Sequence, residues 1–241
     1  MFGVKTRLIN FCKKTYLSAT SGKLASDMAI RSLMEYFVAD TYGHRASIKK
    51  ADMGYGWIHY GLARAYKPKR ILCIGSRYGF IPAVLAQACK DNTKGIVDFV
   101  DPGYGKDDPG HWTGEGYWRT SKGKNSFKNF GLNSWINLYL TTSQEYATKF
   151  KREYEYIYLD GDHSYKGVSL DYKLFWPRLS KFGFMSFHDV GVKGRLTEGK
   201  YGVYRLWRKL EKRNSIVFPF LGSGLGIIQK ATDENRHKNI L

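Results

Sequence analysis

Between residues 71 and 187 one pattern recurs five times: a run of four or five mostly apolar residues, rich in β-branched and aromatic side chains, ends at a polar residue or a glycine. The runs cover 71–74, 96–100, 136–140, 156–159 and 184–187, and segments with helical periodicity lie among them at 82–90, 144–150 and 164–179. Short continuous runs of this kind are strands buried on both faces, and strands that alternate with helices build parallel βαβ units. Farther on, Val203, Leu206, Trp207 and Leu210 make one apolar helix face, backed by Arg205, Arg208, Lys209, Lys212 and Arg213. Residues 215–230 read as two short strands around Gly222, Gly224 and Gly226, a closing hairpin.

A chain of 241 residues fits one such α/β domain. Lys and Arg number 39 against 21 Asp and Glu, a net charge of +18, but 43% hydrophobic and 16% aromatic residues exclude a disordered polybasic chain. The charge therefore belongs on the surface of a globule and predicts anionic partners. Cys12, Cys73 and Cys89 show no CxxC spacing, which excludes a disulfide framework or a thiolate zinc cage and fits a reducing, cytoplasmic setting. No apolar run reaches the roughly 18 residues of a membrane span, and charges break up the N-terminal segment where a signal peptide would be apolar.

Residues 1–50 read as a basic helical extension ahead of a domain over 51–241. Val4, Leu8, Ile9, Cys12 and Tyr16 share a stripe with Lys5, Arg7, Lys13 and Lys14 between them, so the segment either packs on its own domain or lies peripherally on an anionic membrane. Residues 28–38 carry a second period of ordinary packing type. Residues 103–133, rich in Gly, Trp, Tyr and Lys with almost no aliphatic side chains, read as a long functional or mobile loop.

The first strand runs into Gly75-Ser76-Arg77-Tyr78-Gly79 and then a helix. Glycines there permit positive φ and close backbone approach, and the helix N-terminus behind them favours negative charge. The second strand ends in Asp101, whose carboxylate can accept hydrogen bonds from both hydroxyls of a ribose. Such a turn also occurs in α/β proteins that bind nothing there, so it does not decide alone.

A second signal is sharper. The fourth strand delivers Asp160-Gly161-Asp162-His163 and the fifth delivers His188-Asp189. Ligands of doubly wound sheets gather outside the carboxyl ends of strands, and adjacent strands lie only about 4.8 Å apart, so the two acidic ends can meet over one ion. Carboxylates with an imidazole suit Mg²⁺, Mn²⁺ or Ca²⁺ rather than structural zinc. The alternative for Asp160 and Asp162 is to open a turn or cap the helix near Ser164.

Residues 71–86, Asp101-Pro102 and, above all, the stretch from Leu159 through Asp160-Gly161-Asp162-His163-Ser164-Tyr165 with Phe187-His188-Asp189 resemble the class I S-adenosylmethionine-dependent methyltransferases. The nearest likeness is the bacterial small-molecule O-methyltransferase group that includes macrolide-sugar and cephalosporin methyltransferases and polysaccharide-cluster members. The resemblance implies a Rossmann-like, doubly wound, seven-stranded sheet whose last strand is antiparallel. It implies that Gly75, Ser76 and Gly79 hold the methionine end of S-adenosylmethionine, that Asp101 binds its ribose, and that Ser143 lies near the adenine. A divalent cation such as Mg²⁺ would map onto Asp160, His188 and Asp189. Two residues depart from the family pattern: Cys73 stands where an acid is usual, and Arg77 where a third glycine is common.

The expected reaction is a metal-assisted O-methylation of a sugar, glycan or similar small molecule, a lipid-linked glycan included. His163 and Asp162 are the candidate bases, with His163 favoured by a pKa that ordinarily lies near neutrality. Tyr104, His111, Trp112, Tyr117 and Trp118 suit either a lid over a sugar or anchors for their loop. Two other readings stay open: a nucleic-acid methyltransferase acting on ribose, suggested by the charge, and a non-catalytic binding protein, suggested by Cys73 and Arg77.

Overall fold

The computed structural model describes residues 26–105, 116–193, 201–210, 214–219 and 223–231. Among these, seven strands form one sheet: β1 (Arg70–Ile74), β2 (Ile96–Val100), β3 (Ile136–Tyr139), β4 (Tyr154–Leu159), β5 (Leu179–His188), β6 (Ser215–Phe218) and β7 (Leu225–Gln229). Their order is β3-β2-β1-β4-β5-β7-β6. The first five are parallel, and β7 runs antiparallel to both β5 and β6. The expected hairpin is therefore present, with its second strand inserted beside β5.

The helices are α1 (Asp27–Tyr36), α2 (Tyr55–Tyr66), α3 (Phe80–Asn92), α4 (Ser121–Asn129), α5 (Ser143–Lys149), α6 (Tyr165–Phe175) and α7 (Val203–Leu210). They divide the core. On one side of the sheet Leu33, Met34, Phe37, Val84, Leu85, Phe99 and Phe127 pack together; on the other, Tyr146, Tyr172, Phe175, Leu206 and Trp207 do so. From β1 the chain builds outward to β2 and β3, then returns to place β4 on the other side of β1. That reversal opens a crevice at the carboxyl ends of β1 and β4, the place where such sheets take ligands.

Two expectations change. Residues 26–50 are no appendage, because Phe37 stacks on Phe127 at 5.3 Å and Leu33, Met34 and Phe37 are buried in the same core as α3. The stripe from Val4 to Tyr16 lies outside the described residues. The segment 103–133 is not all loop either: Thr120 caps α4 by accepting the Gly123 N–H at 3.0 Å, and a short 3₁₀ turn, Tyr117–Arg119, precedes it. Trp118 is 1% exposed, stacked on Phe127 at 5.5 Å and edge-on to Phe99 at 4.8 Å, so it anchors the segment and is no sugar platform. His111 and Trp112 lie outside the described residues. No helix among the described residues is long and apolar enough to cross a membrane.

Candidate active site

Gly75 ends β1 with φ at +68°, and a Cβ there would collide with the Asp160 carbonyl and the Gly161 Cα. Only glycine lets the turns after β1 and β4 touch. Two backbone bonds then tie the strand ends together, Gly75 N–H to Val100 O and Asp160 N–H to Ile74 O, each at 2.9 Å. Ser76 is buried in this turn, and Gly79, at φ +85°, heads α3. Arg77 rests its guanidinium over the Tyr78 ring at 5.1 Å. Cys73 is wholly buried in β1, and burial pushes its thiol well above the usual range, so it fills space as an uncharged thiol.

Asp101 follows β2 and accepts the Gly103 N–H at 2.7 Å. Burial pushes its carboxyl up to about 6 despite the amides of Gly103 and Ser76, and the nearby Asp160 charge adds to the rise. Ser143 opens α5 and faces Asp171 of α6. Asp171 is 5% exposed, and burial pushes its carboxyl up to about 7. The sequence carried a signal for it: one acid sits on the otherwise apolar stripe of Val168, Tyr172 and Phe175.

The acidic strand ends do meet. His163 lies between the two acids, its Nε2 3.3 Å from Asp160 Oδ1 and its Nδ1 3.1 Å from Asp189 Oδ2. His188 points Nδ1 at the same pair, 3.3 Å from Asp160 Oδ1 and 3.2 Å from Asp189 Oδ1. Burial disfavours every charge here, yet mutual attraction wins. The two histidines hold the Asp160 carboxyl well below its usual range, and the two acids raise both imidazoles above theirs. Tyr158 adds a hydroxyl donated to Asp160 Oδ2 at 2.8 Å.

Asp162 is not brought in. It is exposed and accepts the Ser164 N–H at 2.8 Å, while Ser164 caps α6 by accepting the Gly167 N–H at 3.0 Å. The turn-and-cap alternative thus holds for Asp162, which frees Asp160 to face the cluster. Around it stand residues that the sequence did not reveal. The His44 ring lies 4.6 Å from that of His188, the Gly43 carbonyl accepts His188 Nε2–H at 2.9 Å, and Tyr201 packs 5.2 Å from His163. Burial pushes His44 well below its usual range, so it is a neutral imidazole.

Two carboxylates and two imidazoles converging on one point are a donor set for a hard or borderline divalent cation. Asp160, His163 and Asp189 offer ligand atoms within 4.8 Å of one another, and His188 Nδ1 reaches the same carboxylates. His188 also donates its other ring N–H to a backbone carbonyl, the usual outer contact of a metal-ligating histidine.

Residues 72–190 match the family described as a methyltransferase domain. A curated relative, the uncharacterized protein y4gI of Sinorhizobium fredii, is 28% identical over 180 residues, which make up 71% of this chain and only 19% of that protein. The chain thus spans about a fifth of that relative's length. A candidate caffeoyl-CoA O-methyltransferase from Staphylococcus aureus superposes with a TM-score of 0.61 at 15% identity, over 94% of this chain and 99% of its own. TomG, an O-methyltransferase from Streptomyces achromogenes solved with S-adenosylmethionine, superposes with a TM-score of 0.58 at 13% identity, over 90% of this chain and 95% of its own. Family match, sheet order and strand-end crevice agree: residues 72–190 are similar to a methyltransferase domain, and the fold around them is the Rossmann-like methyltransferase fold.

Proposed function

We propose that the domain methylates a hydroxyl oxygen of a sugar, glycan or similar small molecule bearing neighbouring hydroxyls, with help from a divalent cation such as Mg²⁺. The observation that carries this reading is the meeting of Asp160, His163, His188 and Asp189 at the ends of β4 and β5, beside the Gly75 turn and Asp101. Asp160, Asp189 and His188 Nδ1 would hold the ion. Gly75, Ser76 and Gly79 would take the amino-acid end of the cofactor, Asp101 its ribose, and Ser143, with Asp171 behind it, would border the adenine. When bound, the cofactor supplies an electrophilic methyl on sulfonium, and the ion lowers the pKa of a coordinated hydroxyl.

His163 is the base in this scheme. Asp189 Oδ2 faces Nδ1 at 3.1 Å and orients the ring, and Nε2 would be the atom that takes the acceptor proton. Tyr201 and the Gly202 N–H, which bonds the His163 carbonyl at 2.7 Å, hold that residue in place. A second reading makes His163 a ligand, favoured by the compact Asp160, His163 and Asp189 group.

The exposed cations of α4 (Lys122, Lys124, Lys128) and α7 (Arg205, Arg208, Lys209) support an acceptor on an anionic carrier, a lipid diphosphate at a membrane surface before a nucleic acid. Methyl transfer from labelled S-adenosylmethionine to free and lipid-linked sugars, with Mg²⁺ or with EDTA, tests the proposal. EDTA-sensitive labelling of a sugar is expected; full activity in EDTA overturns the metal's part, and labelling of RNA alone overturns the acceptor class.

A further inference from the structure

Residues 40–44 lie outside the family match, yet they form one wall of the acidic cluster. Asp40 folds them into a tight turn: its Oδ1 accepts the N–H groups of Tyr42 at 3.1 Å and Gly43 at 2.9 Å, and its carbonyl accepts the His44 N–H at 3.0 Å. The turn presents the Gly43 carbonyl to His188 Nε2 at 2.9 Å. A carbonyl only accepts, so Nε2 carries a hydrogen and Nδ1 is the ring atom left for Asp160 and Asp189.

The same turn leaves the ring nowhere else to go. The buried His44 ring lies 4.6 Å from the His188 ring and 5.4 Å from Phe80. A Cβ on residue 43 would stand 2.7 Å from Asp40 Oδ2 and 3.3 Å from His188 Cε1. Asp40 is committed to the turn and cannot yield without releasing two N–H groups. Glycine is therefore the residue that lets turn and imidazole approach this closely.

We propose that the 40–44 turn is a positioning element of the cation site, in which the Gly43 carbonyl fixes Nε2–H of His188 so that Nδ1 presents its lone pair between Asp160 and Asp189. The inference rests on the cation-assisted reading above and assigns Gly43 and Asp40 a role in it. Outer partners of metal-bound histidines typically change metal affinity by about 10–100-fold when lost.

Mn²⁺ is the probe, titrated into the full chain and followed by the EPR signal of the free ion, with S-adenosylhomocysteine binding as the control for folding. Gly43→Val and Asp40→Ala should each weaken Mn²⁺ binding by about tenfold or more. Should the valine variant fail to fold, Asp40→Ala carries the test. In long-range ¹⁵N–¹H spectra of the wild type, Mg²⁺ should shift His188 Nδ1 and leave Nε2 protonated. Mn²⁺ affinity within twofold of wild type in both variants, or a Mg²⁺-induced shift at Nε2 instead, overturns the role of the turn. A wild type that binds no Mn²⁺ overturns the cation reading itself, and that result appears before any variant is made.

Discussion

His163 Nδ1 lies 3.1 Å from Asp189 Oδ2, and through this contact the proposed base is oriented by an acid that also faces the proposed cation. Two roles for His163 therefore compete at one place, and they separate experimentally. As the base, His163→Asn lowers kcat for methyl transfer by about 10²–10⁴-fold while Mn²⁺ affinity stays within about threefold. As a ligand, it loses both together. Asp162→Ala, in contrast, removes only a turn hydrogen bond and should lower stability by roughly 1 kcal/mol, with Mn²⁺ affinity unchanged.

Asp171 and Ser143 give the fold a pH dependence of its own. Burial pushes the Asp171 carboxyl up to about 7, above its unfolded value near 4, so the uncharged form is the one the fold favours. That contribution is fully present below the unfolded pKa and is lost as pH rises through about 7. Asp171→Asn keeps the shape without the charge. Its melting temperature should match wild type near pH 4 and exceed it at pH 8.5 by on the order of 5 °C, read by calorimetry.

Trp118 separates an anchor from a lid. Its ring lies between Phe99 and Phe127, and a Cβ on Gly79 would come within 2.8 Å of it. Trp118→Ala should lower unfolding free energy by about 3–5 kcal/mol in urea titrations, with any rise in acceptor KM following from a loosened Gly79 turn. Unchanged stability with a raised KM would restore the lid.

The strands were legible because a two-face-buried strand is a nearly continuous apolar run, and 71–74, and 96–100 with Asp98 as its one polar residue, needed nothing more. β5 starts earlier than its apolar run, at Leu179, because it passes through exposed Lys181 and Phe182 before entering the sheet centre. α4 was missed because Ser121–Asn129 offers one large apolar residue, Phe127, among Ser, Lys, Gly and Asn, and depends on the Thr120 cap and the aromatic cluster. The acids Asp160 and Asp189 could be found because strand direction alone brings them to one end. Gly43 could not: it meets His188 across 145 positions of sequence, and no local pattern encodes that contact.

Asp101, at the end of β2, decides whether the crevice beside β1 recognises ribose in the way proposed. Its carboxyl is pushed up to about 6 by burial, so near neutrality it is mostly ionised, and only the ionised form accepts hydrogen bonds from two hydroxyls at once. S-adenosylhomocysteine affinity should therefore climb as pH rises through about 6 and level off above it. Asp101→Asn keeps one acceptor oxygen and should bind about tenfold more weakly at pH 8, with the rise across pH 6 abolished, because hydrogen bonds to a charged group are worth about 1.5–3 kcal/mol against about 1 for a neutral one. Calorimetric titrations from pH 5 to pH 8 read both effects. A flat profile in the wild type, or an asparagine variant that still shows the rise, would assign the titration to another group and remove Asp101 from the ribose site.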